Sequence, residues 1–478
     1  MKRPVILLIK SRALAVKTRG ITPPLGLLCV AAYLRKSQGA SVRVLDTVFE
    51  ADPAGAALRA AREIEPDVIG VSALTCEAAC AHRIAAALKA ALPGIPVVFG
   101  GPYPSSDPEL ALGDPCVDAA VTGEGEETFN ELVRVIAGEG PRWREPGTLG
   151  AVAGLAFMQE GAVRRTGARA PIEDLDSLPT PAWDLIDYRR YWRRGGMASV
   201  GKRPYLTMFT SRGCPYRCVF CHNIFGKTFR ARSPESVAGE AAELMRLGAG
   251  DIEILDDIAN YRQERFDRML ELMLERGLHP ALSFPNGVRA DLLSESSVDL
   301  LKKVGTGEIS VAVETASPRL QKLLRKNISL DKVSRAIDMM AARRIFTRGF
   351  FMLGLPTETE QEIRATARFA RQSRLHLALF FTPNPYPGTE LYTMFAEAGK
   401  LPAAARPGDY DYFGSAFNGS QVTAALYRRL YRQAYYGFYL NPLRAMRIAR
   451  DRPRWSDIPA RAYGLFRNMA SFRRLEGN

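Results

Sequence analysis

The sequence is expected to fold as an α/β protein in two successive units, a doubly wound Rossmann-like parallel sheet and a second set of strand–helix repeats, closed by a helical C-terminal region. Three observations carry this. Short apolar runs alternate with helical stretches over the first 140 residues, the pattern of parallel strands covered on both faces. Six more such runs follow residue 200, most of them ending in polar residues, glycine or proline. After about Lys400 these runs stop, and tyrosines and arginines recur at helical spacing.

In order, the first unit opens with Val5-Ile-Leu-Leu-Ile9, a continuous apolar run read as a buried strand. Thr22-Pro-Pro-Leu-Gly-Leu-Leu-Cys-Val-Ala-Ala-Tyr-Leu-Arg35 follows, with two prolines suited to a helix start. Strands are expected at Ser41–Asp46, Val68–Ser72, Pro96–Gly101 and Ala119–Thr122, with helices between them and after the last. Ligands bind such sheets beyond the strand carboxyl ends. Those ends are Ser72-Ala-Leu-Thr75, Gly100-Gly101 and Gly123-Glu-Gly125. Glycine there lets the backbone approach a bulky ligand.

Residues 141–195 read as a connector rich in Gly, Pro and charge, with a hairpin at Gly154–Val163 and a Pro-rich join around Trp183, expected to pack one unit on the other. The second unit, 196–400, has strands at Leu206–Thr210, Asp251–Asp257, Leu282–Arg289, Glu308–Glu314, Arg348–Pro356 and Leu377–Gly388. Glu253 and Glu308 alternate away from the functional ends and are expected at the surface. Residues 401–478 are expected to be helical, with aromatics facing the second unit and arginines facing water.

Composition bounds the function. With 47% hydrophobic and 24% charged residues the chain has an ordinary globular core. The net charge of +14 allows an acidic partner: nucleic acid, an anionic membrane surface or a phosphorylated cofactor. Nucleic acid is the weakest of these, resting only on interleaved Arg and Tyr in the tail. The seven cysteines show no disulfide-framework spacing, which suits a reducing cytoplasm. Cys29, Cys76, Cys80 and Cys116 are expected to be buried thiols. No stretch reaches the length of a transmembrane helix, and the apolar run ended by Lys10 is too short for a signal peptide.

Chemistry concentrates in Ser211-Arg-Gly-Cys-Pro-Tyr-Arg-Cys-Val-Phe-Cys-His222. Cys214, Cys218 and Cys221 lie within eight residues, and close thiolates suit one soft metal centre. Three thiolates on a 4Fe–4S cluster leave one iron open to a small chelating molecule. Structural zinc would need His222 as a fourth ligand, too near in sequence for an easy tetrahedron. Cys218-Val-Phe-Cys221-His222 also fits c-type haem attachment, which leaves Cys214 unexplained.

The cysteine spacing, with Phe220 before the third cysteine, resembles the signature of radical S-adenosylmethionine (SAM) enzymes. The order Pro-Pro-Leu-Gly-Leu, Ser-Ala-Leu-Thr, Gly-Gly-Pro and Gly-Glu-Gly-Glu-Glu-Thr resembles the cobalamin-binding domain that precedes some of them. The resemblance implies a Rossmann-like cobalamin-binding domain over 1–140 and a (β/α)6 partial barrel over 196–400. It implies a 4Fe–4S cluster on Cys214, Cys218 and Cys221. SAM would be held by Phe220, Asp256, Asp257, Asn286, Arg289, Glu314, Gly354 and Pro356. Glu314 would take its amino group and Arg289 its carboxylate, while Gly354-Leu-Pro356 lies against adenine. Cobalamin would be held by Pro24, Leu25, Gly26, Ser72, Leu74, Thr75, Gly100, Gly101, Gly123, Glu124 and Gly125. The Asp-x-His-x-x-Gly motif that supplies a cobalt-binding histidine in other cobalamin domains is absent. His82, the one histidine before the cysteine loop, is expected to pack or face solvent.

By the same resemblance the chain is an enzyme that methylates an unactivated carbon of a small-molecule, lipid or natural-product substrate through a 5′-deoxyadenosyl radical. A flavodoxin or ferredoxin would donate the electron. A cobalamin-dependent cyclase or rearrangement without methyl transfer is the alternative, and a non-catalytic Fe–S redox sensor or scaffold is a third class. The basic, aromatic C-terminal helices are candidates for peripheral membrane contact.

Overall fold

Alternate residues of the first strand feed opposite cores. In the computed structural model, which describes residues 3–13, 21–198, 204–222, 224–401 and 417–451, Ile6 and Leu8 pack with helices Leu25–Gln38 and Gly125–Glu139. Leu7 and Ile9 pack with Pro53–Ile64 and Ala78–Ala91. That is why Val5–Lys10 (β1) reads as one unbroken apolar run. Around it stand Ser41–Asp46 (β2), Val68–Ser72 (β3), Val97–Gly100 (β4) and Ala119–Val121 (β5), all parallel in the order β2-β1-β3-β4-β5. The order reverses between β1 and β3, so the crevice at the switch point opens past Lys10 and Ser72. The hairpin expected in the connector, Leu155–Gln159 (β6) and Ala162–Arg165 (β7), continues this sheet antiparallel from β5. It covers what would otherwise be an open edge.

Tyr205–Met208 (β8) starts the second sheet and leads into a two-stranded ribbon, Ser211–Arg212 (β9) with Arg230–Ala231 (β10). Asp251–Ile254 (β11), Ala281–Val288 (β12), Glu308–Glu314 (β13), Phe346–Met352 (β14) and Leu377–Phe381 (β15) follow. They stand in the order β8-β11-β12-β13-β14-β15, all parallel. Each strand pairs with the next in the chain, so every crossover winds the same way and the sheet curls into a partial barrel. Of the helices between the strands, those starting after Ser233, Ser294, Ser329 and Thr359 are capped by that residue's own hydroxyl.

The connector fastens the two units. Trp183 is buried, as expected of a packing residue. The neighbouring Ala182 N–H donates to the Leu28 carbonyl of the first unit. Tyr188 Oη donates to Leu247, and Trp192 Nε1 donates to Tyr205 of β8.

The structure revises three expectations. Glu253 and Glu308 are both 1% exposed, because the strand face opposite the helices is also covered. Glu253 accepts the Ala198 N–H at 2.8 Å, and Glu308 lies 3.3 Å from Arg348. Burial holds the Glu253 carboxyl up at about 7. Of the four remaining thiols only Cys80 is buried. Cys29, Cys76 and Cys116 are half-buried, since they border a seam or loops. Cys29 lines a cavity of about 40 Å³ between the two units.

The third revision concerns the tail. In Ala424–Tyr439 the residues Tyr427, Leu430, Ala434, Tyr435 and Phe438 are buried, as the spacing requires. The arginine expected to face water at 444 is instead 2% exposed. Helix Glu360–Gln372 ends with carbonyls that have no intrahelical partner. The Arg444 guanidinium donates to the carbonyls of Arg371 (2.7 Å), Ser373 (3.2 Å) and Leu375 (2.6 Å), and it lies 3.5 Å over the Phe438 ring. Arg444→Ala strands those carbonyls. We expect it to lower unfolding free energy by about 3 kcal/mol, read as a drop in the urea midpoint. Wild-type stability in the variant would refute the capping role. The tail residues expected to be helical beyond Asp451 lie outside the described residues.

Candidate functional site

The cysteine loop leaves β8 under the control of one carboxylate. Asp256, fully buried at the end of β11, accepts the Thr210 N–H at 2.6 Å and the hydroxyls of Thr210 and Ser211, each at 2.5 Å. It is therefore occupied in shaping the loop. Gly213 follows at φ 81°, where an added Cβ would meet the Thr228 carbonyl at 2.2 Å, so no other residue fits. Backbone bonds fix the rest: Cys214 N–H to Gly226, Val219 N–H to Leu324, and Leu391 N–H to Val219.

The three thiols share one charged environment. The Cys221 S–H pairs with Cys218 and draws the Cys218 thiol down to about 7. Burial and Glu314 oppose this, while Lys326 and Arg289 assist. Burial raises Cys214, which also feels Cys218 and Lys227. Among the described residues no three His, Cys, Asp or Glu side chains converge at single-ion distances. A 4Fe–4S cubane would take one thiolate on each of three irons, and three cysteines on one short loop are a donor set that fits it.

Glu314 closes β13 in the left-handed region, φ 66°, just past a register shift against β14. It is 7% exposed, and Lys326 Nζ lies 3.4 Å from Oε1. Lys326 was not apparent from the sequence. It rides a turn between Arg325 (φ 52°) and Asn327 (φ 47°), and its charge faces Glu314, Cys218 and Cys221. Arg289, expected to grip a carboxylate, is already engaged within the chain. It donates to both Asp291 oxygens at 3.0 and 2.9 Å, and to the carbonyls of Lys326 (3.1 Å) and Asn327 (3.3 Å). It also stacks 4.0 Å over the Tyr216 ring. These bonds brace the Lys326 turn.

Asn286 donates to Leu255 at 2.8 Å, which leaves its side-chain oxygen open. Desolvation, and then the charge of Asp256, raise the Asp257 carboxyl to about 6. Phe220 is half-buried against the cluster of Val219, Leu355 and Leu391. The turn Gly354-Leu-Pro356 is not bare. A Cβ at Gly354 would lie 3.0 Å from the Tyr427 ring, and the Gly354 carbonyl accepts from Gly419. Tyr427 arrives on a helix 73 residues later, which the local sequence does not announce.

Beneath that turn Glu358 is fully buried. One oxygen accepts the N–H groups of Gly354 (2.6 Å) and Leu355 (3.0 Å), while the other has no partner among the described residues. Burial pushes its carboxyl up to about 8. A carboxyl with a raised folded pKa contributes stability that is complete below its unfolded value and is lost as pH climbs through the folded one. The native chain should therefore lose stability between about pH 5 and 8, by a few kcal/mol from this group. Glu358→Gln should flatten that part of the melting temperature–pH curve. An unchanged slope would contradict the assignment.

The corrin candidates gather at the carboxyl ends of the first sheet. An added Cβ at Gly26 or Gly100 meets nothing within 4 Å, and one at Gly123 has the Ile224 carbonyl as its nearest neighbour at 3.9 Å. These glycines present backbone to open space, as a broad flat ligand requires. Gly101 (φ 87°) packs its turn on Ser72, and Gly125 brings its helix against Val30. Pro24 and Leu25 are buried at the helix start, Thr75 is buried, and the Leu74 N–H is tied to Glu77. A Lys10–Glu77 pair at the end of β1 was not anticipated. The Glu124 carboxylate is already held by the Ile172 N–H and by Arg230. His82 uses both ring nitrogens, on Asp114 and Tyr103, so it is a packing residue.

Residues 11–133 match the family model described as the B12 binding domain, and residues 208–370 match that of the radical SAM superfamily. An uncharacterized methyltransferase of Pyrococcus horikoshii is 31% identical over 424 residues, 88% of each chain. The anaerobic magnesium-protoporphyrin IX monomethyl ester cyclase of Rubrivivax gelatinosus is 26% identical, over 78% of this chain and 66% of that one. The solved radical SAM methyltransferase TsrM from Kitasatospora setae superposes with a TM-score of 0.68 at 20% identity, over 84% of this chain and 77% of that one. At that identity the likeness is one of fold.

Proposed function

Because the chain belongs to the family of B12-binding radical SAM enzymes, we propose that it transfers a methyl group to an unactivated carbon of a small-molecule substrate. One observation carries the reading. The corrin-facing loops of the first sheet meet the cysteine loop of the second, with Ser106 Oγ 2.9 Å from His222 Nδ1. That contact supports a shared mouth for the methyl source and the radical source. When bound, the cluster and SAM supply a 5′-deoxyadenosyl radical, and cobalamin supplies the methyl group.

The chain's own residues do the rest. Cys214, Cys218 and Cys221 hold the cluster, and Asp256 fixes the start of their loop. Glu314 takes the ammonium of SAM, and Lys326, rather than the internally bonded Arg289, takes its carboxylate. Asp257 and Asn286 offer open acceptors to the ribose hydroxyls, and Phe220 packs beside the adenine. Gly26, Gly100 and Gly123 let the corrin approach the backbone. His82, with both ring nitrogens held by Asp114 and Tyr103, would not be free to serve as a metal ligand.

A low-potential flavodoxin or ferredoxin is proposed as electron donor, since the cluster must be reduced from outside. The substrate class extends to lipids and natural products. Among the described residues no helix is long and apolar enough to cross a membrane. Peripheral contact with an anionic membrane is supported by Leu440, Leu443 and Met446, exposed beside the arginines of helix Pro442–Asp451. Co-sedimentation with anionic vesicles but not neutral ones is the expected result, and none with either would dismiss the contact.

The function is tested by product analysis with methyl-labelled SAM and candidate substrates. Methyl transfer yields labelled product with S-adenosylhomocysteine. 5′-Deoxyadenosine without methylation points instead to the cyclase reading, which the magnesium-protoporphyrin relative favours. Failure to cleave SAM under any conditions would leave the redox-sensor or scaffold reading.

A further inference from the structure

The first unit grips the cysteine loop at both ends. Ahead of the loop, Arg212, two residues before Cys214, donates to Glu126 at 2.5 Å and lies 3.7 Å from Glu124. Arg230, on the paired strand β10, donates to Glu124 (2.6 Å) and to the carbonyls of Ile172 (2.6 Å) and Phe225 (2.9 Å). All four side chains are at most 8% exposed. Behind the loop, His222 follows Cys221 directly. It bonds Ser106 Oγ and packs on the Tyr386 ring at 5.2 Å. The same stretch of the first unit continues inward, where Ser105 Oγ accepts the Gly123 N–H at 3.0 Å. The segments Gly101–Ser106 and Gly123–Glu126 therefore each carry glycines of the proposed corrin crevice and a tie to the proposed cluster loop.

Buried charges of this kind cannot be left alone. A cysteine loop that moves away strands Glu124 and Glu126, and a disordered Gly123–Glu126 segment strands Arg212 and Arg230, each at high cost. The order of either loop is thus conditional on the other. A ligand that selects the ordered form of one favours the ordered form of both, and the effect on affinity must be reciprocal. We infer that corrin binding and cluster binding are thermodynamically coupled through two clamps, Glu124/Glu126 with Arg212/Arg230 and Ser106 with His222. These are positioning residues, and the inference rests on the cofactor reading given above.

The test uses the full-length chain, cluster-free and anaerobically reconstituted, titrated with hydroxocobalamin by absorbance. The cluster-loaded chain should bind corrin roughly fivefold or more tightly than the cluster-free chain. In Arg212→Gln/Glu126→Gln, and in the milder Ser106→Ala, that ratio should fall toward one. A residue with a merely structural role would change both affinities together and leave the ratio alone. Equal corrin affinities in the two wild-type forms would overturn the coupling. A wild-type ratio in Ser106→Ala and in the double variant would overturn the clamps, and Ser106→Ala alone decides if the double variant does not fold. A wild-type chain that takes up neither iron nor corrin would instead overturn the cofactor reading beneath.

Discussion

Cys218→Ala is expected to abolish the reductive cleavage of SAM while leaving a folded chain. Cys218 is the middle ligand of the proposed set, its Sγ 3.7 Å from the Arg325 carbonyl and beside the Lys326 turn. Two thiolates do not hold a site-differentiated cubane, so iron content should fall well below that of the wild type. 5′-Deoxyadenosine, measured after chemical reduction with SAM present, should drop to the level of the protein-free control. Corrin should still bind, at the weaker affinity of the cluster-free chain. Retained cleavage would remove Cys218 from the ligand set.

Lys326→Met should have the next largest effect. It leaves Glu314 buried without its cation and removes the charge proposed for the SAM carboxylate. Truncating one partner of a buried, hydrogen-bonded charge pair costs about 2–5 kcal/mol, so SAM affinity should fall at least ~30-fold by equilibrium dialysis on reconstituted protein. Lys326→Arg keeps the charge and should recover part of the loss. Iron content measured alongside separates a weakened SAM site from a lost cluster. Unchanged SAM affinity with intact cluster would return the carboxylate to another cation.

What could be read from the sequence was what is local. The β1 run and the cysteine loop both follow from neighbours within a few residues. The parallel order of both sheets follows from strand–helix alternation. What escaped depends on partners far along the chain. Period-two alternation assigns Glu253 and Glu308 to a face, but it does not say that the backbone at Ala198 packs on that face. Arg444 reads as a water-facing residue of a basic helix until the carbonyls of Arg371 and Leu375 stand against it. Motif order brought Arg289 forward, yet the nearby Asp291 consumes it. Lys326 carries no sequence signal beyond lying in an Arg-Lys-Asn turn. Glu124 resembles part of a corrin motif, and its carboxylate turns to arginines more than 80 residues on.

Three thiolates holding a cluster with one iron free for SAM underlie every role proposed for the second unit. The most direct test is iron and sulfide analysis of the anaerobically reconstituted chain, joined to electron paramagnetic resonance of the reduced protein before and after SAM is added. About four irons and four sulfides per chain are expected, with a spectrum that changes on adding SAM because the open iron gains an amine and a carboxylate. A chain without iron and sulfide, or a cluster whose spectrum is indifferent to SAM, would contradict that assignment.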